Sequence, residues 1–123
     1  MRTPETIAED LIRAVTTGDM DLAKELYAED AVLWQNTTAK TVDVDRALRT
    51  IAWLGKTIQN LAYEDVRRTL TDDGFVQQHR MTGQTPSGKE LVAHACMIAT
   101  VRDGKIIEVR EYMDSRAFDV LSE

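Results

Sequence analysis

The sequence predicts an α+β domain in which three N-terminal helices cover one face of a curved antiparallel sheet. Two observations support this class. Apolar residues recur at helical spacing up to about residue 58, and from residue 61 onward strand-like segments are separated by the turn sequences DDG (72–74), QTPSG (84–88) and RDG (102–104). Helices followed by hairpins are typical of α+β domains. Because no repeat or Pro/Gly/Ser linker interrupts the chain, we expect one domain over residues 1–123.

The first two helices have clear start and stop signals. Thr3 can cap a helix whose first turn contains Pro4, and Gly18 follows the last turn. Asp19 can then cap a second helix. The apolar stripe of the first helix comprises Ile7, Leu11, Ala14 and Val15, and that of the second comprises Leu22, Ala23, Leu26 and Tyr27.

A short strand and a third helix complete the N-terminal half. The segment AVLWQN (31–36) is typical of a strand. Asp43 can cap the third helix. Its apolar positions recur at steps of three and four and comprise Val44, Ala47, Leu48, Ile51, Leu54 and Ile58.

The last hairpin of the predicted four-strand meander has the strongest turn signal. Asp103-Gly104 favours a type I′ turn, which pairs Arg102 with Lys105. Counting back from that pair gives three opposed positions on one sheet face: Ala93 with Asp114, Ala95 with Tyr112, and Met97 with Arg110. Small residues opposite larger ones leave volume, so we expect these positions to form the floor of a cavity.

The preceding hairpin is predicted to bring Arg80 beside Asp114. Pairing Gly83 with Glu90 sets Arg80 opposite Ala93 and Thr82 opposite Leu91, so that Arg80, Ala93 and Asp114 form one row. Two interpretations of Asp114 remain open. It can face a pocket as a reactive carboxylate held ionised by Arg80, or it can form a routine ion pair and cap a C-terminal helix beginning at SRAFDVL.

The opposite sheet face is predicted to point away from the helices. It would carry His79, His94, Cys96 and Glu111, but His-x-Cys without a fuller ligand pattern is a weak metal signal, so no metal site is expected. The apolar residues assigned to this face are Met81, Val92, Ile98, Val109 and Met113. A monomer should not expose such a surface, so we expect a homodimer through the sheet.

Composition excludes several classes of function. The net charge of −6 disfavours nucleic acid as a partner, and the single cysteine allows no intrachain disulfide. No signal-peptide core or apolar run of about 18 residues occurs, so we expect a cytoplasmic protein without a membrane span. No phosphate-binding glycine loop or dinucleotide fingerprint is present, so no nucleotide cofactor is expected.

Four segments resemble the limonene-1,2-epoxide hydrolase family, within the wider group of SnoaL-like polyketide cyclases, ketosteroid isomerases and nuclear-transport-factor-like domains. They are YAEDAVLWQN (27–36), GFVQQHRMTG (74–83), GKELVAHACMIATVRDGKI (88–106) and VREYMDSRAF (109–118). The resemblance implies a cone-shaped domain with an internal pocket. It also places the water-activating aspartate of epoxide hydrolases at Asp114, their water-holding asparagine at Asn36 and their arginine at Arg80.

The chain departs from the epoxide hydrolase pattern at two positions. Trp34 replaces a tyrosine, and its indole can donate but not accept a hydrogen bond. Thr82 replaces the second aspartate, the general acid, and a hydroxyl is too weak an acid for that role.

The resulting hypothesis is an acid–base enzyme acting on a small apolar molecule without a cofactor. Asp114 would be the general base, Asn36 would orient water or substrate, and Arg80 would stabilise negative charge. The pocket would be lined by Trp34, Thr82, Tyr112, Ala93, Ala95 and Met97. Epoxide hydrolysis, isomerisation and cyclisation stay open, as does a noncatalytic ligand-binding or dimerisation domain of the same fold.

Overall fold

The computed structural model describes residues 1–122, and its helices begin at the predicted caps. α1 spans Pro4–Thr17, α2 spans Met20–Leu26 and α3 spans Val44–Thr57. The side chains of Thr3, Asp19 and Asp43 each accept a hydrogen bond from a first-turn backbone N–H. A C-terminal 3-10 helix spans Ser115–Ser122.

The six strands form a single mixed sheet. They are β1 (Tyr27–Gln35), β2 (Lys40–Asp43), β3 (Gln59–Thr71), β4 (Gly74–Gln84), β5 (Glu90–Arg102) and β6 (Lys105–Met113). Their order in the sheet is β2-β1-β6-β5-β4-β3. The α+β class and the meander of β3 to β6 are confirmed. The sheet differs from the predicted antiparallel one in one pairing, since β1 pairs with β6 in parallel. β1 also pairs with β2, a strand that was not predicted.

The β5–β6 hairpin has the predicted turn but a different register beyond it. Arg102 pairs with Lys105, and both turn residues have positive φ. A bulge follows, since Val101 pairs with Ile106 whereas Thr100 pairs with Glu108. This one extra residue on β6 moves Met113, instead of Tyr112, opposite Ala95. The side chains of β6 are therefore exchanged between the two sheet faces relative to the prediction.

The β4–β5 register also differs from the prediction by one residue. Gly83 pairs with Leu91, and Met81, instead of Arg80, lies opposite Ala93. The predicted row of Arg80, Ala93 and Asp114 is therefore wrong. The inner face, which the helices cover, receives alternate β4 residues: Phe75, Gln77, His79 and Met81, all buried.

The core lies between the helices and this inner face. One buried cluster joins α1 and α2 to the sheet, with Ile7, Leu26, Phe75 and Ile106 fully buried. A second, smaller cluster is centred on Leu91 and is covered by residues of the C-terminal 3-10 helix. Between the two clusters, the space under α3 is not filled by core side chains.

The outer face is less apolar than predicted. Met81 and Val109 are buried on the inner side, and Met113 borders the inner cavity. Val92 and Ile98 are exposed on the outer side as predicted. No helix within residues 1–122 is long and apolar enough to cross a membrane.

Candidate functional site

Two adjoining cavities lie between α3 and the inner face of the sheet. Their volumes are about 200 Å³ and about 310 Å³. Both are lined mostly by apolar side chains, and they share the wall residues Gln35, Thr50, Leu54, Tyr63 and Glu111. A mostly apolar cavity with few polar groups is the usual form of a small-molecule site.

Glu111 is the carboxylate where the two cavities meet. The β6 bulge turns its side chain inward, opposite Met97. Its Oε1 accepts a hydrogen bond of 3.0 Å from the side-chain amide of Gln35 on β1. Burial raises the pKa of Glu111 above its ordinary value, and the Gln35 hydrogen bond offsets part of this shift. The group therefore holds its proton to higher pH than a solvated glutamate.

His79 lines the larger cavity together with Glu111. Its ring stacks on Tyr63 of β3, with centroids 4.2 Å apart and planes 13° apart. Burial lowers the pKa of His79 to about 4. Burial and the Glu111 charge raise the pKa of Tyr63, so its phenol stays protonated.

A polar chain behind the cavity ends at His79. Gln77 is 1% exposed, and its Nε2 lies 3.1 Å from Nδ1 of His79. The Oε1 of Gln77 accepts hydrogen bonds from Nε and Nη2 of Arg68 at 3.1 and 3.0 Å. Arg68 also lies 3.9 Å from Glu9 of α1, so the chain connects the sheet to the helical layer.

Three predicted lining residues on β5 border the cavities. Ala93 and Ala95 line the larger cavity and Met97 lines the smaller one, so the face of β5 was predicted correctly. Ligand binding by these residues stays a prediction. The small side chains of Ala93 and Ala95 leave space in the cavity that His79 and Glu111 also line.

The two predicted aromatic residues contact each other, and only Trp34 borders a cavity under α3. Trp34 borders the smaller cavity, but its ring packs against Tyr112 at 5.2 Å and lies 4.8 Å from the Arg110 guanidinium. Tyr112 is 40% exposed and opposite Cys96, so its predicted position on the pocket floor is wrong.

Asp114 and Asn36 have structural contacts at the end of β6. Asp114 is exposed and accepts a 3.0 Å hydrogen bond from the backbone N–H of Arg116, which confirms that it caps the C-terminal helix. Asp114 lines neither of the two cavities. The Asn36 side chain bonds to both backbone groups of Met113, at 2.9 and 3.0 Å. Asn36 therefore ties β1 to β6.

Arg80 and Thr82 lie on the outer face. The guanidinium of Arg80 forms ion pairs with Glu64 and Asp65. A bulge in β3, with Asp65 at φ 52°, brings both carboxylates to the same arginine. The Thr82 hydroxyl lies 3.5 Å from Glu64. The predicted pocket positions of Arg80 and Thr82 are therefore wrong, and catalytic roles for Arg80, Asn36 and Asp114 stay predictions without support from this geometry.

Glu111 and His79 lie on the inner face, so their predicted position on the outer face is wrong. The alternation of side chains along β6 was a usable signal for Glu111. Glu111 shares its side of the strand with the apolar Val109 and Met113, whereas Arg110 lies on the other side. His79 and Glu111 face inward while His94 is exposed outside, so these residues do not converge. Across residues 1–122, no group of three or more His, Cys, Asp or Glu side chains could hold a metal ion.

The chain belongs to the family of SnoaL-like domains. The family matches residues 8–109, which is most of the chain. The match leaves out the start of α1, the end of β6 with Glu111, and the C-terminal 3-10 helix. No curated protein matches the sequence significantly. The fold and cavity thus define a SnoaL-like pocket protein.

Solved structures with the same fold are diverse in name. A protein with a ketosteroid isomerase-like fold from Catenulispora acidiphila, in complex with trimethylamine, is 14% identical with a TM-score of 0.81, covering 98% of this chain and 94% of that one. IdmH from Streptomyces antibioticus, named a putative polyketide cyclase, is 20% identical with a TM-score of 0.84, covering 98% and 99%. At these identities the likeness establishes the fold, and function rests on the site.

Proposed function

We propose that this protein is an acid–base enzyme that moves a proton on a small, mostly apolar molecule, with Glu111 as the proton-transferring group. The observation that carries the proposal is a carboxyl group with a raised pKa in the wall of an apolar cavity. A carboxylate that is more basic than usual is better matched to proton transfer near neutral pH.

Isomerisation or cyclisation through an enolate fits this site better than epoxide hydrolysis. Removing a proton next to a carbonyl needs one base, and the Glu111 carboxylate can take the proton and return it at another position. Epoxide opening by the resembling family's groups would need Asp114, Asn36 and Arg80 around one water. These three residues line neither cavity, and each is held by other hydrogen-bond partners.

The test uses hydrogen–deuterium exchange at the α-carbons of cyclohexanone in D₂O, followed by proton NMR. The Glu111 carboxylate would remove an α-proton to give the enolate, and a deuteron would then return to carbon. We expect catalysed exchange above buffer, with a rate that rises with pH as Glu111 ionises. Glu111→Gln should lower that rate at least ~100-fold, because glutamine keeps the Gln35 hydrogen bond but cannot act as a base.

The matched control is Asp114→Asn, since asparagine can still cap the 3-10 helix. We expect exchange to be retained in this variant. Loss of exchange in Asp114→Asn but not in Glu111→Gln would transfer the role to Asp114 and contradict the proposal.

A noncatalytic small-ligand-binding domain is the second candidate. It is favoured by the position of Asp114, whose side chain caps a helix at the surface. Cyclohexanone bound in the cavity without exchange above the buffer rate would support this candidate over the enzyme.

A further inference from the structure

We propose that Arg68 and Gln77 are positioning residues that hold His79 as the neutral imidazole with its proton on Nε2. The cavity would then present an N–H donor to a neutral acceptor oxygen of the ligand, such as a carbonyl oxygen. The tautomer follows from contacts within the protein. Its use toward a ligand rests on the proposed function of the cavity.

The orientation of the Gln77 amide is set by Arg68. A guanidinium has only donors, so the atom that receives the two Arg68 hydrogen bonds must be the carbonyl oxygen of Gln77. The reverse orientation would oppose the amide NH₂ to the guanidinium and lose two charge-assisted bonds, which are about twice as strong as neutral ones. Arg68 thus directs the amide NH₂ of Gln77 toward His79.

The amide NH₂ in turn determines the tautomer of His79. Nδ1 lies 3.1 Å from an atom that can only donate, so Nδ1 must accept and carry no proton. The single proton of the neutral ring is then on Nε2. Protonating Nδ1 would place two donors face to face in a region where Gln77 is 1% and His79 5% exposed.

The remaining nitrogen of His79 is accessible, and His79 lines the larger cavity. Within residues 1–122 Nε2 has no hydrogen-bond partner, yet no fully buried side-chain nitrogen or oxygen of this part of the chain lacks one. Nε2 is therefore accessible, and stacking on Tyr63 fixes the plane of the ring. The site combines a fixed neutral donor at His79 with the carboxyl group of Glu111.

This pairing defines the class of ligand group at His79. A carbonyl oxygen can accept from Nε2–H and would gain negative charge as a base removes the neighbouring proton, so the hydrogen bond would strengthen along the reaction. An ammonium group, which can only donate, has no acceptor at this nitrogen. The hydrogen-bond chain from Arg68 to the ligand oxygen is consistent in direction at every step.

The first experiment reads the tautomer directly by long-range ¹H–¹⁵N NMR of the full chain at pH 7. The protein has two histidines, and His94 is exposed, so His79→Gln assigns the signals. We expect His79 to show an unprotonated nitrogen at Nδ1 and a protonated one at Nε2. A cationic ring or the Nδ1–H tautomer would overturn the proposal, whatever the outcome of the exchange assay with Glu111→Gln.

Gln77→Glu tests whether the Gln77 amide determines the tautomer of His79. The carboxylate keeps an acceptor for Arg68 but presents an acceptor to Nδ1, so we expect His79 to shift to the Nδ1–H or cationic form. Gln78→Glu is the matched control, because it adds the same charge one residue away on the outer, exposed side of β4. An unchanged His79 spectrum in folded Gln77→Glu would overturn the positioning role. If that variant does not fold, Arg68→Met, which frees the amide to rotate, should give a mixture of tautomers, and a retained single Nε2–H form would overturn the role.

Binding of cyclohexanone against methylenecyclohexane tests the ligand class, since the two differ in the acceptor oxygen. At a pH at which His79 of Gln77→Glu is in the neutral Nδ1–H form, which has no proton on Nε2, we expect the variant to bind the ketone at least ~5-fold more weakly, the value of about one net hydrogen bond, and to bind the hydrocarbon unchanged. Equal weakening of both compounds would indicate a general change in cavity shape and contradict the assigned donor.

Discussion

The two faces of β4 carry polar residues with opposite arrangements. On the outer face, Arg80 is satisfied by two carboxylates, Glu64 and Asp65. On the inner face, Gln77 and His79 are buried, and His79 has one nitrogen bonded and the other accessible. The outer guanidinium has a carboxylate at each end, whereas the inner groups keep unused hydrogen-bonding capacity. Adjacent residues of one strand thus differ in chemistry because they differ in burial and partners.

The largest expected contrast between the faces is in packing. Leu91→Ala removes a fully buried inner side chain and should lower the free energy of unfolding by about 2–5 kcal/mol. Ile98→Ala removes the same number of carbon atoms from the same strand, but at a site that is 39% exposed. We expect it to lower the free energy of unfolding by less than about 1 kcal/mol. Urea denaturation at low protein concentration measures both. Equal costs would mean that the outer face is as buried as the core.

The second contrast is the pH dependence of stability. The pKa of His79 is about 4 in the folded protein and near 6.5 when unfolded, so between these values the unfolded state binds more protons. The stability that neutral His79 contributes is therefore complete above pH 6.5. As the pH falls toward 4, the free energy of unfolding decreases by about 2–3 kcal/mol because this contribution is lost. His79→Gln should remove this loss, and the outer-face control His94→Gln should keep it.

The ionisation of Glu111 changes the free energy of unfolding with pH in the direction opposite to that of His79. Its raised folded pKa means that stability falls as the pH rises from the ordinary carboxyl value through the folded pKa. Because wild type and both histidine variants retain Glu111, the difference between their pH profiles isolates His79. A wild-type profile identical to that of His79→Gln would argue against a buried neutral imidazole.

The third contrast concerns association. We propose that the outer face forms a homodimer, supported by exposed Val92, Ile98 and Tyr112 at 38%, 39% and 40%. Ile98→Lys should weaken the dimer at least ~10-fold, or about 1.4 kcal/mol, without changing the inner cavity. Sedimentation of wild type at micromolar concentration as the 13.9 kDa monomer would contradict the proposal.

Local signals explain which parts of the fold were predictable. The caps Thr3, Asp19 and Asp43 and the Asp103-Gly104 turn act within a few residues, and each lies where the sequence placed it. The parallel pairing of β1 with β6 joins residues far apart in sequence, so no local pattern specifies it.

Side-chain direction was less predictable because two one-residue differences exchange the faces. The β6 bulge near Ile107 has no distinctive residue. The sequence QTPSGK (84–89) does not specify a two-residue turn, and the loop closes through a hydrogen bond from the backbone N–H of Thr85 to the carbonyl of Lys89. Alternation on β5 was correct, so Ala93 was placed properly, while Glu111 was placed on the wrong face. The candidate site therefore depended on tertiary pairing that the sequence leaves undetermined.

The smallest expected effect tests the outer position of Thr82. If Thr82 lined the pocket, as the resemblance to epoxide hydrolases implies, Thr82→Asp would supply the missing general acid and raise hydrolysis of cyclohexene oxide. On the outer face, beside Glu64 and Arg80, the new carboxylate would instead join an exposed ion-pair group. We expect no gain in epoxide hydrolysis and little change in the unfolding midpoint, since Arg80 offsets the repulsion between carboxylates. Ala93→Asp is the inner-face comparison, because the same group placed opposite Met81, at a site 1% exposed, should destabilise the fold clearly. Faster epoxide hydrolysis by Thr82→Asp, with Thr82→Asn inactive, would mean that this part of β4 faces the substrate, and would reverse the assignment of the two faces.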